Sequence, residues 1–474
     1  MMKWPKHIFR AYGIRGDVGS EVDEALAWHL GWHVAQLLLE PEKGLVVAWD
    51  VRLSSQSLAN AVMRGAREAG ISVCCLGVAP TPLAYFWVHH QDKAGCIMVT
   101  GSHNPAHQNG FKIMVGKQPI TQELYQQLCQ QIHRVPTPKI SLIAHVHQQV
   151  AHYYLQYIAH KISLKRRLRV VVDAGNGPGG MLAVPLYRLL GCQVEPLFCE
   201  LDGHFPNHHP DPSNPENLIA LKKKVKDMGA DLGIAFDGDA DRLAVVDALG
   251  EEFSADHLMV LFAKEVLRAH PHGCIVSEVR SSQGLIDDVA AQQGRLVISA
   301  CGHAKIQQKM HAESALLGGE MNGHFFFSDH YYGFDDGVYA GARLLELLSQ
   351  QPHALNELRP IESSILLPEI RIPCADDKKF QWVAQAKLWF SHRYDRICLV
   401  DGVRINFDGG WCLLRASNTQ AMLSVRMEAG DSECFVLIYN ALMTFLASQS
   451  EIDRGDFQKE IMSCVSTKLG MLLA

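Results

Sequence analysis

Apolar residues along this chain fall into short unbroken runs, each ending abruptly in a polar turn, and the arrangement recurs three times. In the first copy LVVAWDVRLSS (45–55) leads into a helix-like stretch to about Gly70, and GCIMVTGSHNP (95–105) follows later. In the second, LRVVVDAGNGPGG (168–180) is followed by a helical pattern to Leu190 and then by ADLGIAFDGDADR (230–242). In the third, GCIVSEVRSSQG (273–284) precedes a helix to about Gln293, and SALLGGEMNGH (314–324) closes the copy. Continuous apolar runs flanked by helices predict strands buried on both faces of a sheet. Alternation of strand and helix predicts an α/β architecture, whose ligands collect at the carboxyl ends of the strands. The three second-run loops, TGSHNP, DGDADR and GEMNGH, all lie at such ends. The pattern therefore predicts three related α/β domains with mixed sheets, each lending one loop to a shared cleft.

The last part of the chain is patterned differently. RICLVDGVRINFDGGWCLLRASNTQAMLSVRMEA (396–429) alternates apolar and polar residues around DG and GG turns, the signature of β-hairpins. FVLIYNALMTFLA (435–447) then reads as a packing helix, giving a smaller C-terminal α+β domain. Expected boundaries are 1–148, 149–250, 251–365 and 366–474. The segment 450–474 carries no motif and is expected to be helical packing.

Composition narrows the chemistry. Of 474 residues, 48% are apolar, enough for several cores. The 44 basic and 50 acidic side chains leave a formal charge of −6, which argues against a nucleic-acid binder. The 13 cysteines form no CxxC pair and imply reduced thiols. The opening MMKWPKHIFRAYGIRG lacks an apolar signal core, and no stretch reaches the roughly 20 apolar residues of a membrane span. The expectation is a cytoplasmic protein without membrane partners.

Four loops carry candidate chemistry. In FDGDADR, Asp237, Asp239 and Asp241 crowd three carboxylates that a hard divalent cation would reconcile, and Mg²⁺ leaves positions for a substrate phosphate. Arg242 beside them suits a phosphate. The EF-hand spacing is absent. In TGSHNP, Ser102 fits an ordinary turn as well as it fits a nucleophile or phosphate carrier. The Gly-x-Ser-x-Gly elbow is missing, since Thr100 and Asn104 stand where glycines would, which argues against an α/β-hydrolase. In GEMNGH, Glu320, Asn322 and His324 offer groups for polyol hydroxyls, on a signal that is weak alone. In RASNT, Arg415, Ser417, Asn418 and Thr419 could clamp phosphate or form a plain polar turn. No P-loop occurs.

Taken together, TGSHNP with NGFK, DGDADR, GEMNGH with GFDDG, and RASNT resemble, in order and spacing, the α-D-phosphohexomutase superfamily, and in particular its bacterial phosphomannomutase/phosphoglucomutase branch. FRAYGIRG is similar to the family's opening motif, and the resemblance runs from about Phe9 to Glu428. It implies four domains around a central cleft and a reaction that moves a phosphoryl group between O1 and O6 of a hexose through a phosphoserine and a hexose 1,6-bisphosphate. By motif position Ser102 is then the phosphoserine. Asp237, Asp239 and Asp241 hold Mg²⁺ together with the Ser102 phosphate, and Arg242 lies beside it. Glu320, Asn322 and His324 read sugar hydroxyls. Arg415, Ser417, Asn418 and Thr419 grip the phosphate that is not transferred. Tyr12 and Arg15 face the cleft, Lys112 and His303 transfer protons, and His103 is a further cleft residue.

The chain departs from the family pattern at Gly13, where Asp is usual, and at Trp49, where Arg is usual. Asn322 replaces a serine, and Arg280 stands where a lysine is common. The Met of GEMNGH favours mannose and glucose phosphates over the amino sugar. Alternatives are a phosphoglucosamine mutase and a Mg²⁺-dependent sugar-phosphate phosphatase. Partners are sugar phosphates only, with a monomer or small homo-oligomer expected.

Overall fold

The computed structural model describes residues 4–10, 13–133, 145–146, 149–359, 365–367, 369–375, 377–417, 421–448 and 459. Three sheets repeat one connectivity, strand–helix–strand–helix–strand–strand. In the first, Leu45–Trp49 lies between Val73–Val78 and Gly95–Val99, all parallel, and Gln108–Val115 runs antiparallel beside Gly95–Val99. In the second, Arg169–Asp173 lies between Gln193–Leu197 and Leu232–Phe236, with Leu243–Asp247 antiparallel beyond. In the third, Cys274–Glu278 lies between Arg295–Ser299 and Leu317–Gly319, with Phe325–Phe327 antiparallel beyond. The predicted apolar runs are the two central strands of each sheet. Val46, Ile97, Val171, Ile234, Val276 and Leu317 are all completely buried, as strands covered on both faces require.

Each candidate loop connects a central strand to its antiparallel neighbour: 100–107, 237–242 and 320–324. A short connection of this kind leaves the sheet at a strand's carboxyl end and returns at once, so its polar groups stay at that rim. One apolar core runs through all three units, from Val46 and Phe86 through Tyr154, Leu186 and Tyr187 to Phe334, Tyr339 and Leu345. Tyr154 donates its hydroxyl to Asp336 at 2.9 Å, and Tyr187 donates to the Val338 carbonyl at 2.9 Å.

The C-terminal unit is an antiparallel sheet built on Val403–Phe407, Gly410–Ala416 and Met422–Ala429. Helices Lys379–Ser391 and Ser432–Ala447 cover it, enclosing a separate core that includes Ile405, Leu414, Val425 and Leu442. Gly409, at φ +84°, sits in the turn between the first two strands, a conformation that disfavours side chains. The unit docks on the third domain through Trp411 and Leu413, which pack with Val279 and Cys301. Arg404 lies 3.9 Å from the Trp411 ring and donates to the carbonyls of Val279 and Ser281.

The described cysteines are all free. Among the described residues no helix is long and apolar enough to cross a membrane. Tyr12, Asn418, Thr419 and the segment 450–474, Lys459 excepted, lie outside the described residues.

Candidate active site

Ser102 and the three aspartates come from different sheets and meet in one pocket. The Ser102 hydroxyl donates to Asp237 Oδ2 at 2.8 Å and lies 3.3 Å from His103 Nδ1. Ser102 is held at φ +49°, a left-handed conformation uncommon for a side-chain-bearing residue. Its backbone N–H donates to Thr100 Oγ1 at 2.8 Å. Gly238 passes so close that a Cβ there would stand 2.4 Å from the Ser102 carbonyl oxygen. Two loops thus interlock backbone to backbone.

Asp237, Asp239 and Asp241 are fully buried, and one oxygen from each lies within 4.8 Å of the others. Lys112, on the strand after the serine loop, reaches across to them. Its ammonium donates to Asp239 Oδ2 at 2.6 Å and also to Asp241 Oδ2. Burial and mutual repulsion drive the triad toward neutrality. Lys112 overcomes this at Asp239 and Asp241, whose carboxyls are held below the usual range. Asp237, bonded to Ser102, is pushed well above it by burial and by its two neighbours. The second oxygens of Asp239 and Asp241 are buried without a hydrogen-bond partner. Orphaned carboxylate oxygens of this kind, all hard donors, fit a divalent cation such as Mg²⁺.

The third loop closes the pocket. His324 Nδ1 lies 3.0 Å from Asp335 and 3.7 Å from Asp241. Its Nε2 accepts from Arg242 Nε at 3.1 Å. Burial opposes charge on this ring, but Asp241 and Asp335 outweigh it and raise the pKa to about 9. A proton on Nε2 would cost the Arg242 bond, so charging His324 and bracing Arg242 are alternatives. His324 is thus engaged in an ionic network within the pocket. Arg242, only 11% exposed in its side chain, approaches Asp211 and Asp237 at 3.9 Å. His303 opens the helix His303–Glu313, and its ring centroid lies 5.5 Å from that of His324. Burial pulls its pKa down to about 4. His103 is likewise lowered, by the Arg242 charge and by burial. Glu320 accepts from the Gly302 N–H at 2.5 Å, and its other oxygen has no hydrogen-bond partner, nor has Asn322 Oδ1.

A cationic wall faces this loop. Arg280 pairs with Glu278 at 2.6 Å and Arg415 with Asp401 at 3.0 Å. Asp401 also accepts from the Cys301 N–H at 3.2 Å, tying the arginine to the third domain. Ser417 is half-buried at the end of the same strand. Arg15 donates to its neighbour's carbonyl at 2.8 Å and feels the charges of Asp239 and Asp241.

Sequence reasoning passed over Asp50 and Arg52, treating AWDVRLSS only as a departure at Trp49. Arg52 is fully buried and donates to the carbonyls of Ser102 (2.7 Å), Asn104 (2.6 Å), Pro105 (2.6 Å) and Gln108 (3.0 Å). Asp50 accepts from Arg52, from Thr100 Oγ1 at 2.8 Å and from the Gly101 N–H. The signal was available, since an Asp-x-Arg after a buried strand sits at the same rim as the serine loop.

A serine presented to three buried carboxylates, ringed by arginines contributed from four domains, defines a phosphohexomutase. The whole chain bears this out. It matches in turn the phosphoglucomutase/phosphomannomutase α/β/α domains I (residues 6–139), II (152–250) and III (254–362) and the C-terminal domain (369–435). The phosphomannomutase/phosphoglucomutase of Pseudomonas putida is 40% identical over 429 residues, covering 90% of this chain and 92% of its own. The phosphoglucomutase of Neisseria gonorrhoeae is 37% identical over 456 residues, covering 94% and 98%. The crystal structure of a phosphoglucomutase/phosphomannomutase family protein from Burkholderia thailandensis superimposes with a TM-score of 0.89 at 35% identity, covering 95% of this chain and 99% of that one. This chain belongs to the phosphoglucomutase/phosphomannomutase family of the α-D-phosphohexomutase superfamily, and it is an intramolecular phosphotransferase of that type.

Proposed function

We propose that the enzyme interconverts hexose 6-phosphates and hexose 1-phosphates of mannose and glucose, with Ser102 carrying the phosphoryl group. The observation that carries this reading is the Ser102 hydroxyl at 2.8 Å from a carboxylate of a buried triad with unsatisfied oxygens. Asp237, Asp239, Asp241 and the Ser102 phosphate would hold Mg²⁺, which supplies charge neutralisation to the phosphoryl group.

In the forward half-reaction the P–O bond to Ser102 Oγ breaks as a P–O bond to the free hydroxyl of the hexose phosphate forms. His303, kept neutral by burial, takes the hydroxyl proton. Lys112, held charged by Asp239 and Asp241, gives a proton to the departing serine oxygen. Arg242 and His103 neutralise and orient the phosphoryl group. Glu320, Asn322 and His324 bind sugar hydroxyls, Glu320 and Asn322 through acceptor oxygens to spare. Arg415, Ser417, Asn418 and Thr419 grip the phosphate that stays, while Arg280, Tyr12 and Arg15 line the cleft around the substrate. Such a remote grip lets binding energy orient the reacting end. The bisphosphate then reverses in the cleft and returns its other phosphate to Ser102.

Intact-protein mass spectrometry after treatment with glucose 1,6-bisphosphate should reveal one added phosphate, roughly 80 Da, absent in Ser102→Ala. Coupled assays on mannose 1-phosphate and glucose 1-phosphate should register isomer formation without free phosphate. Unmodified wild-type protein, release of free phosphate alone, or turnover confined to glucosamine 1-phosphate would each overturn the reading.

A further inference from the structure

Away from this pocket, a second group of ligand side chains collects on the third domain. His270 caps the carboxyl end of the helix Ala255–Ala269, its N–H bonded to the Val266 carbonyl at 2.8 Å. Asp329 and His330 follow the strand Phe325–Phe327. One donor atom from each of His270, Asp329 and His330 lies within 4.8 Å of the others. The two imidazole rings stand 6.0 Å apart, centroid to centroid.

Three features favour a cation at this point. His270 Nε2 is buried without a hydrogen-bond partner, a costly arrangement for a ring nitrogen that a metal would resolve. The carboxyl end of a 15-residue helix presents partial negative charge there. Asp329 is held by Arg343, whose Nη1 and Nη2 donate to its two oxygens at 2.9 Å each. A hydrogen-bonded partner behind a ligating carboxylate orients it toward a metal and leaves lone pairs free. The guanidinium charge is offset by Glu265, which accepts from Nη2 at 3.2 Å and keeps its other oxygen buried and unpartnered. Lys161 anchors the loop through the His330 carbonyl at 2.9 Å.

We propose that His270, His330 and Asp329 form a second metal site, selective for a borderline divalent cation such as Zn²⁺. Two imidazoles and one carboxylate suit Zn²⁺, Ni²⁺ or Cu²⁺ and do not suit Mg²⁺, which prefers all-oxygen shells. Tetrahedral Zn²⁺ bonds of about 2.0–2.2 Å need the three donors to draw in slightly, and the exposed His330 side chain has room to do so. Water completes the fourth position. The bound ion joins the end of the helix Ala255–Ala269 to the segment that runs on to Asp335 and Asp336.

The test is isothermal titration of the full chain with Zn²⁺ while excess Mg²⁺ occupies the aspartate triad. One equivalent of Zn²⁺ should bind, with a rise in melting temperature. His270→Ala and His330→Ala should each weaken it by about tenfold or more. Asp239→Asn should leave it unchanged, and Co²⁺ in place of Zn²⁺ should give visible absorption of a four-coordinate nitrogen–oxygen site. Circular dichroism of the two histidine variants checks that they fold. The proposal fails if no Zn²⁺ binds beyond what Mg²⁺ displaces, if binding survives both histidine substitutions, or if Asp239→Asn abolishes it.

Discussion

At the scale of single residues, the serine loop is set by a backbone contact and a buried ion. Gly238 stands against the Ser102 carbonyl, and a Cβ there would intrude to 2.4 Å on backbone that has no room to retreat. Gly238→Ala should therefore shift Ser102 relative to the triad, lowering kcat about a hundredfold while KM changes little. Steady-state kinetics on glucose 1-phosphate measure the split. Arg52 spends its donors on four loop carbonyls and on Asp50. Arg52→Met leaves Asp50 buried without its partner and should cost about 3–5 kcal/mol in urea unfolding, with Arg52→Lys recovering only part. Ser102, the aspartates and Arg415 could be picked out because each sits in a polar loop that closes an apolar run. Arg52 was passed over because its hydrogen bonds run to main-chain carbonyls, although its place after a buried strand marked the same rim. His324 lies on the foreseen loop, and its engagement with Asp335 and Arg242 left no mark in the sequence.

At the scale of elements, the runs 45–49, 95–99, 169–173, 232–236 and 274–278 were readable because strands covered on both faces are apolar throughout. The middle strand of each repeat escaped notice. Gln193–Leu197 and Arg295–Ser299 flank their sheets on one side and are half-exposed, so their polar residues break the run. The helix Glu24–Leu37 was not singled out, whereas Ser55–Glu68 was read as the helical stretch to about Gly70, and the packing between the two is severe. Gly31 and Gly65 bring Glu24–Leu37 and Ser55–Glu68 together so closely that a Cβ on either would lie 2.0 Å from a carbonyl oxygen of the other helix. Gly65→Ala should destabilise the protein by about 1–3 kcal/mol or more, read as a fall in melting temperature, with KM unaffected.

At the scale of the molecule, acid should loosen the junction between the first and third domains. His89 Nδ1 donates to the Tyr85 carbonyl at 2.8 Å, and the ring packs on Tyr332 and Phe334. Burial lowers its pKa from 6.5 to about 4. Between those values the unfolded chain binds the proton and the folded one does not. Stability is thus complete above pH 6.5 and is lost as pH falls through 4, by on the order of 3 kcal/mol at most from this group. Urea midpoints measured across that range should rise with pH, and His89→Gln should flatten the slope. The fourfold organisation was legible from the change of periodicity near residue 396, whereas the fusion of three units into one core was not. Core residues at a domain face read the same as those inside a domain.

The shared core has a consequence for how this architecture can change over time. Phe86, Tyr187 and Phe334 come from separate units, yet all three are buried in one continuous core. Once three duplicated pieces had merged their interiors in this way, none could be exchanged or lost singly without baring an aromatic face. The C-terminal unit kept its own interior and meets the rest through a small patch around Trp411 and a few polar ties. It is the piece that recombination can replace whole, and with it the proposed grip on the stationary phosphate.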